Sequence, residues 1–384
     1  MSDHATDDQF LQRALELARQ GTGLVSPGPH VGAVIVDTRG NIVGTGVYTF
    51  VGVKHAEVLA LEQAGDRARG GTLYINLEPH AHQGRTPPCT DALIRAGVHR
   101  VVACMADPNP EVGGRGFEKL RAAGIHVEVG RMEDEARGLN EAFTRYIRHG
   151  VPLVMLKSAM TLDGKIASAR GTVAQADGVP PGEWITGEEA RAHVHEQRQQ
   201  SDAILAGIGT ILADDPLLTD RSGKARRRPL LRVILDSHLR LPLESRLVRS
   251  VVRDDVLVIC SRAEEQKKIA LESRGIRVEQ LPSSNPDGRP DIHAVLRRLG
   301  QLEIASLIIE GGSTVNAAAL EAGIVDKVFL YYAPRIMAAA GAVPFVCENG
   351  LHAAREEIRL KRIQVHRFGE DFAVEGYLRD PYEE

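Results

Sequence analysis

Apolar positions switch between helix-like and strand-like periods through the first 150 residues of this 384-residue chain. Phe10, Leu11, Ala14, Leu15 and Ala18 recur at three- and four-residue spacing, the stripe of an amphipathic helix. Residues 31–37 and 42–48 read as strands joined by a turn at 38–40. Helices are expected at 55–64, 90–96, 117–123 and 133–148, the last closed by Gly150 and Pro152. Strands at 72–77, 101–105 and 126–129 fall between them. The second half restarts with a strand at 153–159, then a helix at 188–200 and strands at 203–205, 231–235, 256–260 and 307–309. Runs 256–260 and 307–309 are apolar throughout, as strands buried on both faces of a parallel sheet are. Residues 171–182, which carry glycines and prolines, read as an exposed loop. Alternation of this kind predicts an α/β fold.

The strand at 307–309 runs through Glu310, Gly311, Gly312, Ser313 and Thr314 into a helix at 315–321. Glycines between a strand and a helix start can cradle a phosphate, or they can serve only a tight turn. No G-x-G-x-x-G lies there, so a Rossmann dinucleotide fingerprint is not supported.

At this length two domains are expected rather than one core. The 43% hydrophobic and 26% charged fractions are those of a globular protein. A net charge of −4 with 4% aromatic residues gives no case for nucleic acid or a membrane surface. The one basic run, 224–228, reads as a solvated loop ahead of a strand. No apolar run reaches spanning length, the start is polar and acidic, and four scattered cysteines suggest no disulfide framework. A cytoplasmic protein is the expectation.

The candidate chemistry begins at His55-Ala56-Glu57, followed by Pro79-His80 and by Cys89. Zinc deaminases of nucleobases carry H-x-E, then a proline-cysteine pair, then a second cysteine. Here the first cysteine position is His80. His55, His80 and Cys89 would form a His-His-Cys set, and imidazole and thiolate are both good zinc ligands. Trading a thiolate for a neutral nitrogen leaves the metal more positive, which acidifies its water. Glu57 would shuttle protons between that water and the leaving amine. His82 could be an alternative ligand or a substrate contact. The plainer alternative makes His80 a surface histidine on a metal-free domain. The predicted helices start at His55 and just after Cys89, and helix N-termini favour electron-rich groups.

Taken together these motifs closely resemble the bifunctional riboflavin biosynthesis deaminase/reductase family over nearly the whole chain. In the first half the resemblance rests on His55-Ala56-Glu57, Leu77-Glu78-Pro79, Gly84-Arg85-Thr86-Pro87-Pro88-Cys89, Asp91-Ala92-Leu93-Ile94 and Asp107-Pro108-Asn109-Pro110. In the second it rests on Leu162-Asp163-Gly164-Lys165, Trp184-Ile185-Thr186-Gly187, the 212–219 run, Leu235-Asp236-Ser237 and Glu310-Gly311-Gly312.

The resemblance implies a cytidine-deaminase-like three-layer domain over 1–150 and a dihydrofolate-reductase-like α/β domain over 151–384. The first would use Zn2+ to deaminate 2,5-diamino-6-(5-phosphoribosylamino)pyrimidin-4(3H)-one. The second would use NADPH to reduce the ribosyl group to ribityl. By position, His55, His80 and Cys89 match the zinc ligands and Glu57 the proton shuttle. Met160, Trp184, Thr210, Asp214, Ser237 and the loop Gly312, Ser313 and Thr314 match cofactor contacts. Arg198, Leu218, Arg221 and Glu310 match substrate contacts, with Lys157 near where the two ligands would meet. Arg198 and Arg221 suit a sugar phosphate through bidentate bonds. The partner is a small pyrimidine ribosyl phosphate, and a homo-oligomer through the reductase domain is implied.

The chain departs from the family pattern mainly in its first half. Pro27-Gly28-Pro29-His30-Val31-Gly32 stands where Pro-Asn-Pro-Asn-Val-Gly is usual, and Tyr48 replaces a histidine. The stretch before Trp184 is longer than usual. Two other readings stay open from sequence: a reductase whose N-terminal domain is only structural, and a non-catalytic nucleotide-binding regulator.

Overall fold

A computed structural model of the chain describes residues 3–82, 87–168, 184–252, 255–283, 288–347 and 357–383. The loop expected at 171–182 lies outside them, as do residues 84–86 of the run ending in Cys89. The chain divides into two compact units. One is Met1–Gly150 with Ala225–Arg227, the other Val151–Lys224 with Arg228–Glu384.

In the first unit the order is α1 (Asp3–Arg19), β1 (Gly32–Val36), β2 (Ile42–Val47), α2 (Ala56–Ala64), β3 (Thr72–Leu77), α3 (Cys89–Ala96), β4 (Arg100–Met105), α4 (Arg115–Ala122), β5 (His126–Val129) and α5 (Glu133–His149). The sheet runs β2-β1-β3-β4-β5. β1 is antiparallel to both neighbours, and β3, β4 and β5 are parallel.

Glycine sets the approach of the helices. A Cβ at Gly44 or Gly46 would lie 2.0 Å from a carbonyl oxygen of α2, so bare backbone lets α2 settle on β2. A Cβ at Gly32 would meet the Ala14 carbonyl of α1 at 2.1 Å. Gly46 pairs with Ala33, the neighbour of Gly32, and successive strand residues face opposite ways. Thus α1 and α2 cover opposite faces, and the unit has three layers.

The second unit contains β6 (Leu153–Thr161), β7 (Lys165–Ala167), α6 (Glu188–Gln200), β8 (Ala203–Gly207), α7 (Ile208–Asp214), β9 (Leu231–Leu235), α8 (Arg246–Arg249), β10 (Val256–Cys260), α9 (Glu265–Glu272) and β11 (Arg277–Gln280). It continues with α10 (Ile292–Gln301), β12 (Ser306–Ile309), α11 (Ser313–Glu321), β13 (Lys327–Ala333), β14 (Val343–Pro344), β15 (Lys361–Phe368) and β16 (Asp371–Tyr377). The main sheet runs β11-β10-β9-β8-β12-β6-β13-β16-β15. β11 through β13 are parallel in that order, and β16 and β15 close the edge antiparallel. Leu205, Leu307 and Ile309 feed one apolar core while Ile204 and Ile308 feed another. That two-sided burial explains why these strands lack an alternating polar face.

The chain goes from β6 to β8 and leaves a gap that β12 fills a hundred residues later. The carboxyl ends of β6, β8 and β12 therefore meet, at the kind of switch point where open α/β sheets bind ligands.

Two local expectations shift. The helix expected at 315–321 starts at Ser313, so Ser313 and Thr314 form its first turn. The basic run is not simply solvated. Lys224 pairs with Glu196, Arg228 with Asp202, and Arg227 lies 4.2 Å over the Phe50 ring within the first unit. Arg227 and Arg228 are half-buried against these partners, while Lys224 stays exposed to water. Among the described residues no helix is long and apolar enough to cross a membrane.

Candidate active sites

In the first unit, His55 is the N-cap of α2 and Glu57 lies in its first turn. Cys89 is the first residue of α3. Their ligand atoms all lie within 4.8 Å of one another, and His55 Nδ1 is 2.7 Å from Cys89 Sγ. Glu57 and Cys89 are buried. Burial pushes the Glu57 carboxyl above its ordinary range, so it holds a proton readily. Burial, and then the neighbouring Glu57 charge, push the Cys89 thiol up. A bound cation reverses that bias and takes the thiolate.

His80 stands beside this group rather than within it. Its carbonyl accepts hydrogen bonds from Thr90 N and Oγ1 at 3.3 and 3.4 Å, which ties the loop after β3 to the start of α3. Its ring centroid is 5.4 Å from that of His55. His80 Nε2 is 2.9 Å from His82 Nε2, while His80 Nδ1 is buried with no hydrogen-bond partner among the described residues. Burial, then the nearby His82 and His55, bring the His80 imidazole down to about 4, which keeps it neutral. Two imidazole nitrogens and a thiolate sulfur form a donor set that suits zinc, and an orphaned buried nitrogen fits a ligand role. The residues present therefore fit the metal.

Glu78, quoted in the sequence motif but given no role, proves central to the loop architecture. Its carboxylate accepts from the amides of Asp107, Gly114 and Gly116 at 3.0, 2.8 and 2.7 Å. It pins the 107–117 loop to the end of β3, next to His80. The only sequence signal was an acid closing an apolar strand.

Two departures from the family pattern share one space. A Cβ at Gly28 would lie 3.0 and 3.1 Å from Cε1 and OH of Tyr48. Tyr48 in turn meets the His55 ring edge-on at 6.0 Å. The loop backbone at His30 is held independently, by Asn140 and Asn76 at 2.8 Å each.

In the second unit, parallel register sets Ile309 opposite both Leu156 and Leu205. Glu310 thus emerges beside Lys157. Lys157 Nζ is 3.2 Å from Glu310 Oε2, and Arg198 clasps the same carboxylate through Nε and Nη2 at 2.6 and 3.0 Å. Burial alone would raise the Glu310 carboxyl, but the Lys157 and Arg198 charges outweigh it and hold it at about 2. Arg198 also donates through Nη1 to Thr219 O at 2.9 Å. The bidentate grip expected for a phosphate is thus directed at Glu310, while Arg221 is exposed.

Leu218 is buried with φ of 54°, a strained position in the same loop. Arg232, fully buried and overlooked in the sequence, donates to Leu217 O at 3.1 Å and steadies that strain. His195, three residues before Arg198, was also overlooked, and its buried Nδ1 has no hydrogen-bond partner.

The cofactor candidates line the same strand ends. Met160 is buried near the end of β6. Thr210 and Asp214 lie on α7, directly after β8. Ser237 follows β9, its carbonyl accepting from Arg262 N at 2.9 Å. Among the described residues a Cβ at Gly312 would meet only Thr210 Oγ1, at 3.7 Å, whereas one at Gly311 would strike Val315 Cβ at 2.7 Å. Gly311 is a packing requirement, and Gly312 faces open space at the amino end of α11. Trp184 is exposed, with Arg191 over its ring at 5.5 Å.

Comparison with known proteins adds to this geometry. The model described as RibD C-terminal domain matches residues 152–374, and the cytidine and deoxycytidylate deaminase zinc-binding region matches residues 4–105. The riboflavin biosynthesis protein RibD of Aquifex aeolicus is 39% identical over 96% of this chain and 97% of its own length. The Acinetobacter baumannii RibD structure superposes with a TM-score of 0.82 at 35% identity, covering 97% of this chain and 99% of that one. The Thermotoga maritima diaminohydroxyphosphoribosylaminopyrimidine deaminase/5-amino-6-(5-phosphoribosylamino)uracil reductase gives 0.81 at 35% identity, covering 98% and 99%.

Fold and sites define a zinc-dependent deaminase of the cytidine deaminase type joined to an NADPH-dependent reductase. The chain belongs to the RibD family, the bifunctional deaminase/reductases of riboflavin biosynthesis. It is accordingly a hydrolase and an NADP-dependent oxidoreductase acting on a small molecule, and the readings as a lone reductase or a regulator give way.

Proposed function

We propose that the first unit carries the deamination and the second the reduction, each through the residues gathered above. The observation that carries the reading is the pair of separate clusters, each largely shielded from solvent. One is His55, Glu57 and Cys89 with His80 alongside; the other is Lys157, Arg198 and Glu310.

In the first unit His55, His80 and Cys89 would hold the zinc. When bound, the metal supplies a Lewis acid that lets water attack at neutral pH. Glu57 takes a proton from the attacking water and delivers it to the departing amino group. A C–O bond forms at C2 of the pyrimidine, the C–N bond breaks, and ammonia leaves. A buried carboxyl with a raised affinity for protons suits that shuttle. Tyr48, edge-on to His55, borders the place where the pyrimidine sits.

In the second unit the amide end of α11 and the space at Gly312 would hold a cofactor phosphate. NADPH supplies the hydride when bound, and the fold orients it. Lys157 and Glu310 face the ribosyl group, Arg198 fixes Glu310 and the Thr219 loop, and exposed Arg221 meets the substrate phosphate. Assembly of copies through this unit has support in β15, an edge strand with Ile363 and Val365 exposed.

Glu57→Gln tests the division. It keeps the side chain's shape and removes the proton shuttle. Ammonia release should fall by at least about a hundredfold, while reduction of supplied deaminated substrate stays within about twofold. Loss of both activities in a folded variant would contradict two separate sites.

A further inference from the structure

An aromatic cluster lies under the Lys157–Glu310–Arg198 group. In the register of β6 and β13, Lys157 pairs with Phe329 and Ala159 with Tyr331. Residues two apart on a strand share a face, so all four lie on one face of the sheet. Helix α6 covers that face through Ala190 and Val194, and Arg198 lies one turn further along the same helix. Tyr331 is fully buried there. Lys157 Nζ sits over its ring, 5.6 Å from the centroid, within cation–π range.

The Tyr331 ring is fixed from its far end. Its hydroxyl and His193 Nδ1 share a hydrogen bond of 2.7 Å, and with centroids 6.0 Å apart that bond joins the edges of the two rings. His193 in turn stacks on Phe368 with centroids 4.7 Å apart. Burial, then the charges of Glu310, Glu375 and Glu196, push the Tyr331 phenol up, so it stays neutral. Lys157 is held more sparingly. Among the described residues its Nζ has one hydrogen-bond partner, Glu310 Oε2 at 3.2 Å, and Arg198 already clasps that carboxylate through two nitrogens.

We propose that Tyr331 is a positioning residue for the reduction: its π face fixes the Lys157 ammonium at the ribosyl group. The inference rests on the reading that Lys157 faces that group. In the reduction C1′ of the ribosyl group gains a hydride as NADPH is oxidised to NADP+. The bond from C1′ to the ring oxygen breaks, and that oxygen keeps the electron pair until a proton completes the new hydroxyl. An ammonium held still beside it stabilises the charge as it develops. A saturated side chain of similar size would fill the space under Lys157 but would lack the electron-rich face.

The test places phenylalanine and its monofluoro, difluoro and pentafluoro forms at position 331 of the full chain and follows reduction of supplied deaminated substrate. Fluorine withdraws electron density from the ring face and changes its shape little. The kcat should fall stepwise along the series, by about 3- to 30-fold from phenylalanine to the pentafluoro ring, with no matching trend in melting temperature. Fluorotyrosine and tetrafluorotyrosine, which keep the hydroxyl for His193, should fall in the same order. Equal kcat across both series overturns the proposal, because ring bulk alone then suffices. Lys157→Met separates the proposal from the reading beneath it. If that variant reduces substrate as fast as the parent, Lys157 takes no part and both ideas fall. If it loses reduction while both fluorinated series stay flat, Lys157 keeps its place and only the role of Tyr331 fails.

Discussion

Gly28 and Tyr48 illustrate how much a single side chain can conceal. Each departs from the family pattern, and in the sequence they are twenty positions apart with nothing to link them. In the structure the Tyr48 ring fills the space that a residue-28 side chain would need, 3.0 Å from its Cβ position. The two changes are coupled, and the coupling is measurable. Gly28→Asn alone should destabilise the first unit by about 1–3 kcal/mol through overpacking. With Tyr48→His already present, the cost should shrink by at least about 1 kcal/mol. A urea-denaturation double-mutant cycle reads this directly, and strictly additive effects would argue against it. The ligand-type residues His55, Glu57 and Cys89 were legible because H-x-E and the later cysteine carry a fixed spacing. The His80–His82 contact was not, because ring facings leave no trace in residue order.

At the scale of elements, periodicity revealed several of the helices and strands with strong one-sided or two-sided burial, though not the amphipathic α10. The long α5 and the apolar β10 and β12 are examples. It overlooked β7, α7, α8, α9, β11, α10 and β13 to β16, among them α7, only seven residues long, and β13, whose mixed apolar and tyrosine sequence breaks any simple alternation. The Lys157–Glu310 pair, 153 residues apart, depends on the parallel register of β6 and β12, which no local pattern encodes.

The turn between β12 and α11 gives a sharper test of element-level roles, because its two glycines differ. Gly312→Val adds bulk to open space at a helix amino end. The apparent NADPH constant should rise at least about tenfold, roughly 1.4 kcal/mol, with little change in melting temperature. Gly311→Ala drives a Cβ into Val315 and should lower the melting temperature instead. Unchanged NADPH affinity with a lower melting temperature in Gly312→Val would discard the phosphate cradle.

For the whole molecule, the sequence signalled two halves through the helix end at Gly150 and the strand restart after Pro152. It gave no sign that Ala225–Arg227 group with the first unit, since that depends on contacts such as Arg227 N to Gly23 O at 2.8 Å. The family resemblance covered nearly all the chain because motifs occur in both halves, while the departures cluster in the deaminase half. The central claim is that one chain performs both steps in spite of those departures. Its most direct test is a product assay on the purified protein with 2,5-diamino-6-(5-phosphoribosylamino)pyrimidin-4(3H)-one, run with and without NADPH. Without NADPH, ammonia should appear with the deaminated ribosyl compound; with NADPH, the ribityl compound should follow in step. A protein that reduces supplied deaminated substrate but releases no ammonia from the diamino compound, even with zinc bound, would contradict the account.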